Sequence, residues 1–442
     1  MFRKVASALA LAVLLTAPAV PLTAAPPRNG AAADAATAIA LPKTRAFAQS
    51  FVGEDKAPGI VIAVGKGDRP TTFIADGRLS DETGAPAVDR DTLWRVYSMT
   101  KPVTAMAAMM LIEDGKLSLD QPVADFIPAF ADMQVLDTPD GDSLASHPAE
   151  HPITIRNLLT HTAGLGYNII SRGALKTAYE EQGILPAAVN AQTEPQMRAV
   201  RPASLKAFAE RVATLPLAYE PGTRWSYSIG LDILGRVIEV ASGQPFDTFV
   251  QQHILDPLDM TESYWTVPQA KADTLVTNYF WAGDARVPLD PAQSSVFLEA
   301  PSFPYGGAGL VMSARDYDRF LHMLQNGGTL DGARILKQRT VDLAMSDLLP
   351  DGVAFTGVAG TTGGNADAGP KMGFGAGGSV YLEDVPGGPA RGTYGWGGAA
   401  GTIAWVDPAN DVRGTVMVNY FPSDKWPLRQ DVVRAVYSDL GD

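Results

Sequence analysis

Ser98-Met99-Thr100-Lys101-Pro102-Val103-Thr104-Ala105-Met106-Ala107-Ala108-Met109-Met110-Leu111-Ile112-Glu113-Asp114-Gly115 is the stretch on which the reading of this 442-residue chain turns. From Met99 to Ile112 the side chains are apolar nearly all round a helical repeat, and a helix without a polar face is buried on every side. Asp114-Gly115 ends it, because glycine takes the left-handed conformation that a helix C-terminus needs. Pro102 has no N–H to donate and is tolerated only if the helix begins just before it. Ser98 therefore lies at the N-terminus of a central buried helix. Lys101 lies one turn further on, along the same face.

That pairing has chemical content. A serine hydroxyl is a poor nucleophile until a base takes its proton, and a lysine amine can be that base when burial or a neighbouring charge lowers its pKa. The unpaired N–H groups of a helix N-terminus can hold a developing oxyanion. Alone, the spacing is weak evidence: 21 serines and 12 lysines in such a chain give roughly 0.6 chance matches. The alternative is a capping serine beside a surface lysine. The context opposes it, since a lysine opening an almost wholly apolar helix needs a partner or a role.

Outward from this helix the chain reads as strand, helix, strand. Residues 43–52 have the pattern of a short helix. Residues 59–65 (GIVIAVG) and 71–75 (TTFIA) are apolar, β-branched runs separated by a polar break at Asp68, Arg69 and Pro70, which predicts a hairpin. Helical patterns dominate 103–290, most clearly Ile153–Leu159 and Ile229–Val240. Residues 131–152 and 166–203 are long, polar, proline-containing connections, of the kind that form lids or site walls. Residues 351–378 are glycine-rich and expected to be mobile. Strand patterns return at 391–396, 401–406 and 413–420, and an amphipathic helix is expected over 428–440. Strands at both ends around helices in the middle predict an α/β protein: one antiparallel sheet built from both chain ends and flanked by helices, with a helical domain inserted. The expected division is a signal peptide at 1–25, a sheet domain from 26–97 and 300–442, and a mostly helical domain at 98–299.

Composition narrows the classes. With 46% hydrophobic and 19% charged residues the chain has material for a large core. Arg3 and Lys4, the apolar run Val5–Leu15 and the small residues Ala24-Ala25 read as an export signal, and the run is short of a membrane span. An exported protein, periplasmic or secreted and without integral membrane association, is expected. There is no cysteine, so no disulfide or thiolate chemistry is open to it. A net charge of −13 without a basic cluster argues against nucleic acid. The five histidines (147, 151, 161, 253, 322) lack the H-E-x-x-H spacing, no G-x-S-x-G occurs, and no phosphate-binding glycine loop is present. No metal and no cofactor are expected. His161 reads as structural within its turn.

Two further elements carry chemistry. Trp225-Ser226-Tyr227-Ser228-Ile229 follows the turn Glu220-Pro221-Gly222 and opens a helix. A tyrosine beside a lysine can relay a proton between nucleophile and leaving group; the plainer reading is a packed core tyrosine. Tyr394-Gly395-Trp396-Gly397-Gly398-Ala399 has glycines that let a strand backbone approach a ligand closely; the plainer reading is a turn between strands. In this order and spacing the three elements resemble the serine β-lactamase and penicillin-binding protein superfamily, in particular its class C β-lactamase-like branch. The resemblance spans roughly residues 45–440. Supporting stretches are Leu158–Leu165, Pro257–Met260 and Gly307–Val311.

The departures are informative. Where that superfamily has Tyr-x-Asn, this chain has Ile229; where it has Lys-Thr-Gly, this chain has Trp396-Gly397-Gly398. The Trp-Gly-Gly pattern is similar to the family VIII carboxylesterases. The resemblance implies Ser98 as nucleophile and Lys101 with Tyr227 as the proton path. It also implies an oxyanion hole from the backbone N–H groups of Ser98 and Ala399. Substrate contacts are expected at Trp396, Gly397, Gly398 and Ile229. The expected substrate is a small carboxylic ester whose acyl group is hydrolysed or transferred. A β-lactamase or D-amino-acid peptidase acting on cell-wall-like material is the alternative.

Overall fold

A computed structural model describes residues 38–358 and 369–441 of the chain. The signal-peptide reading at 1–25 and the core of the glycine-rich stretch, 359–368, lie outside the described residues. Seven strands form the main sheet: β1 (Gly59–Lys66), β2 (Thr72–Gly77), β3 (Met372–Phe374), β4 (Ser379–Tyr381), β5 (Tyr394–Gly397), β6 (Ile403–Asp407) and β7 (Val412–Met417). Their spatial order is β3-β4-β5-β6-β7-β1-β2, antiparallel throughout. The N-terminal hairpin joins the C-terminal strands through β1 and β7, with Val61 opposite Met417 and Ile62 opposite Val416. Both ends of the chain thus build one sheet, as expected.

The helices are α1 (Pro42–Gly53), α2 (Thr100–Glu113), α3 (Ile155–Thr160), α4 (Gly173–Glu181), α5 (Glu194–Val200), α6 (Leu205–Val212), α7 (Gly230–Ser242), α8 (Phe246–Val250), α9 (Ala314–Gln325), α10 (Gln338–Ala344) and α11 (Leu428–Leu440). Several starts are written in the sequence. Thr154 and Asn157 form a reciprocal capping box on α3, Ser204 caps α6 and Ser313 caps α9. Residues 166–203, read from the sequence as a connection, carry α4 and α5. These helices have only nine and seven residues, too short for an apolar period to stand out.

Both faces of the sheet are covered, which explains the unbroken apolar run of β1. Ile60, Ile62 and Val64 point into a cluster with Phe51 of α1 and Leu428, Val432 and Val436 of α11. Val61 points the other way, into the larger core that holds Val103, Met106 and Met109 of α2. Residues 103 to 109 of α2 are all buried, and each fully buried Val or Met side chain contributes about 1.5–3 kcal/mol relative to exposure. Gly115 follows with φ +71°, the left-handed residue expected there.

Ser98 is not the first residue of α2. It sits in a single 3-10 turn, Tyr97–Met99, that leads into α2 at Thr100. Tyr97 has φ +41°, a conformation worth about 1–3 kcal/mol of strain for a bulky residue. It is held there by Asn278, whose Nδ2 donates to the tyrosine hydroxyl at 3.1 Å, and by edge packing on Phe297 and Phe421. The preceding strand, Leu93–Arg95, ends on Arg95. This buried side chain donates to Asp290, Ser295 and the Val276 carbonyl.

Candidate active site

Three elements converge on Ser98. Lys101, with 0% of its surface exposed, donates from Nζ to Ser98 Oγ at 3.2 Å and to the Gly307 carbonyl at 2.8 Å. The Tyr227 hydroxyl donates to Ser98 Oγ at 2.6 Å. The Lys101 ammonium also lies 4.6 Å from the centre of the Tyr227 ring and 5.8 Å from that of Tyr167, a favourable arrangement for a cation over aromatic faces. The serine, lysine and tyrosine singled out in the sequence are therefore in mutual contact.

The rest of α2 explains why a lysine can be buried here. Thr100, Lys101 and Thr104 form a polar stripe that meets residues 306–310. Leu310 N–H donates to Thr100 Oγ1 at 3.1 Å, and Thr104 Oγ1 donates to the Gly306 carbonyl at 2.7 Å. The close approach needs glycine: a Cβ at position 307 would lie 2.7 Å from Asp232 Oδ2. On the far side, Gly307 N–H donates to Asp232 Oδ1 at 2.9 Å. One peptide segment thus links the lysine to a buried carboxyl group whose second oxygen has no hydrogen-bond partner. Burial pushes the Asp232 carboxyl up to about 7, opposed by the Lys101 charge and the Gly307 hydrogen bond.

His161 ends α3 with φ +57° and lays its ring 4.8 Å from that of Tyr227. Its Nδ1 accepts from the Ser228 N–H at 3.2 Å. Burial, and then the Lys101 charge, hold its pKa well below the usual value. The ring is neutral, and it backs the tyrosine.

The wall beside Ser98 is aromatic. Trp396, on β5, packs 5.8 Å from Tyr227 and 5.2 Å from Phe374; Tyr167 packs 5.6 Å from Tyr227, and Phe355 stands edge-on to Trp225 at 4.7 Å. Ile229 is different. It is the residue that caps α7, is fully buried, and presents no surface to a ligand.

The two glycines after Trp396 have distinct surroundings. A Cβ on Gly398 would collide with the Val96 carbonyl, so glycine lets the end of β5 rest against the backbone two residues before Ser98. A Cβ on Gly397 would lie 2.7 Å from Cζ of Arg429, so the space opened there is filled by this chain's own arginine. Ala399 follows in the turn. Among the described residues neither its N–H nor that of Ser98 has a hydrogen-bond acceptor.

Sequence reasoning passed over Tyr167, Asp232, Phe355, Phe374 and Arg429. Only Asp232 left a usable signal, a lone carboxylate in the apolar run Ile229-Gly230-Leu231-Asp232-Ile233-Leu234. The others come from segments that read as loops or as a solvent-facing helix.

A family model described as Beta-lactamase matches residues 44–437. Esterase EstB of Burkholderia gladioli is 30% identical over 87% of this chain and 92% of its own length. The lovastatin esterase of Penicillium rubens is 30% identical over 73% of this chain and 78% of its own. Among solved structures, EstCE1, a hydrolase with promiscuous acyltransferase activity, superposes with a TM-score of 0.70 and 25% identity over 90% of this chain and 98% of its own. With the matched segment running from the N-terminal helix to the closing one, the chain belongs to the Beta-lactamase family.

Proposed function

We propose that the protein is a serine esterase that hydrolyses, or transfers, short acyl groups of small carboxylic esters through an acyl-enzyme on Ser98. The observation that carries this reading is the convergence of Lys101 Nζ and Tyr227 Oη on Ser98 Oγ, at 3.2 and 2.6 Å. Such distances let a proton move without rearrangement of the chain. The resemblance to EstB, to the lovastatin esterase and to EstCE1 points to ester chemistry within the family.

In the reactive form Lys101 has given its ammonium proton to water, and the free amine then takes the Ser98 proton, with Tyr227 in the path. Oγ attacks the ester carbonyl carbon. Negative charge gathers on the carbonyl oxygen, where the N–H groups of Ser98 and Ala399 receive it. The C–O bond to the alcohol breaks, and the alcohol leaves with a proton delivered through Tyr227. Water, or a second alcohol, then gives up a proton by the same route and attacks the acyl carbon, which frees Ser98.

The pocket favours uncharged acyl groups. Trp396 and Phe355 offer apolar surface, with buried Phe374 packed behind Trp396, whereas the Asn and Lys of the β-lactamase motifs are absent. A buried polar group without a partner costs about 1–3 kcal/mol, so two lost anchors lower kcat/KM on penicillin-like substrates by roughly 10²–10⁴. The test is kcat/KM on p-nitrophenyl butyrate beside a chromogenic cephalosporin. Preference for the ester is expected; preference for the cephalosporin would overturn the reading.

The export reading of residues 1–25 belongs to the same proposal. Among the described residues no helix is long and apolar enough to cross a membrane. So does the division into a sheet domain (26–97 with 300–442) and a mostly helical domain (98–299).

A further inference from the structure

Arg429 is out of place by ordinary rules. It lies in the first turn of α11, where the helix dipole disfavours a cation. The residue as a whole is half-buried, makes no ion pair with a carboxylate among the described residues, and keeps a buried Nε without a partner. Its Nη2 donates instead to the Gly398 carbonyl at 2.6 Å and, more weakly, to the Thr402 carbonyl at 3.4 Å. Burial pulls its pKa down, and nearby Tyr420, Tyr227 and the Asp424 carboxylate oppose this. The guanidinium fits only because residue 397 is glycine.

The carbonyl of Gly398 belongs to the same peptide unit as the N–H of Ala399. In a trans peptide the two point in opposite directions. A cation anchored on the oxygen therefore fixes the direction of the N–H, and it polarises the unit so that the N–H becomes a stronger donor. We infer that Arg429 is a positioning residue for the oxyanion hole, acting from the closing helix through the Gly398–Ala399 peptide. This rests on the proposed ester chemistry at Ser98. It also gives the Trp-Gly-Gly motif a physical reason: Gly398 brings the strand end against Val96, and Gly397 makes room for the arginine that aims it.

The test compares Arg429→Ala, Arg429→Lys and Gly397→Ala with the wild type, using p-nitrophenyl butyrate turnover and the affinity of phenylboronic acid. The tetrahedral boronate places an oxygen in the hole. Removing an oxyanion donor outright costs about 10²–10³-fold in kcat. Loosening one should cost about 10–10²-fold in kcat, with KM within about threefold and boronate affinity falling in parallel with kcat. Added guanidinium at low millimolar concentration should restore part of the Arg429→Ala activity and leave the wild type unchanged. Gly397→Ala should show the same kcat loss with the arginine still present, so the test survives if Arg429→Ala does not fold. Turnover and boronate affinity unchanged in Arg429→Ala and Gly397→Ala would overturn the inference alone. So would a loss seen only in KM, or only for esters whose alcohol carries a carboxylate, since Arg429 would then be a substrate ligand. A wild type that turns over no ester would remove both this inference and the proposed function.

Discussion

At the scale of single residues the proton path makes the sharpest demands. Ser98→Ala should leave a folded protein whose turnover of p-nitrophenyl butyrate is lower by about 10⁴-fold or more. Unchanged turnover would end the esterase reading. Lys101→Ala should be nearly as damaging, because nucleophile and base act as a unit. Tyr227→Phe keeps the ring that packs on His161 and Trp396 and removes only the hydroxyl 2.6 Å from Ser98 Oγ. It should lower kcat by about 10²–10⁴-fold, the range for a positioned acid or base. If most activity remains, Tyr227 is a packing residue. These three were legible in the sequence because each sits in a short motif with its own chemistry. Tyr167 was not. It follows a turn that reads as the entry to a loop, and nothing local places its ring beside that of Tyr227.

At the scale of elements, α7 holds a buried carboxyl group that ties stability to pH. The Asp232 pKa is raised by burial to about 7, against 3.8 for the free group. Between these values the folded state holds a proton that the unfolded state has released. The contribution of this group to stability is therefore fully present below about pH 4 and lost as pH rises through about 7. Asp232→Asn removes the titration and keeps an acceptor for the Gly307 N–H. Relative to the wild type, its melting temperature should be higher at pH 7.5 than at pH 4.5. Parallel melting curves across that window would show that Asp232 does not titrate there. Helix existence was readable where periodicity ran long, as in α2 and α7, and at α11, whose bounds 428–440 match the expectation. It was unreadable at α4 and α5, whose few turns are stabilised by contacts far away in the chain. Arg201, following α5, donates to Glu194 and to the Tyr305 hydroxyl, both at 2.7 Å. That network ties the segment between Leu165 and Arg201 to the loop that precedes Gly306 and Gly307.

At the scale of the whole molecule the sheet is the scaffold that sets β5 beside Ser98. Trp405 of β6 is buried over Gly414, where any Cβ would collide with its ring. Trp405→Ala should lower unfolding free energy by about 3–5 kcal/mol in denaturant titrations, while kcat per folded molecule stays near that of the wild type. A large fall in kcat without a fall in stability would mean that the sheet shapes the site more directly than packing implies. Taken by itself, the sequence determined five of the seven sheet strands, β3 and β4 being missed beside the glycine-rich stretch, together with the buried helix, the three motifs and the joining of both chain ends in one sheet. Periodicity, turn residues and short-range spacing are local properties, and motif order carries the family. The tertiary structure decided which residues surround the motifs. It buried Ile229 fully, joined Asp232 to Lys101 through Gly307, and set the Arg429 guanidinium against Gly397. Such contacts join residues tens to hundreds of positions apart. They depend on how the helices pack on the sheet, and no local pattern encodes that packing.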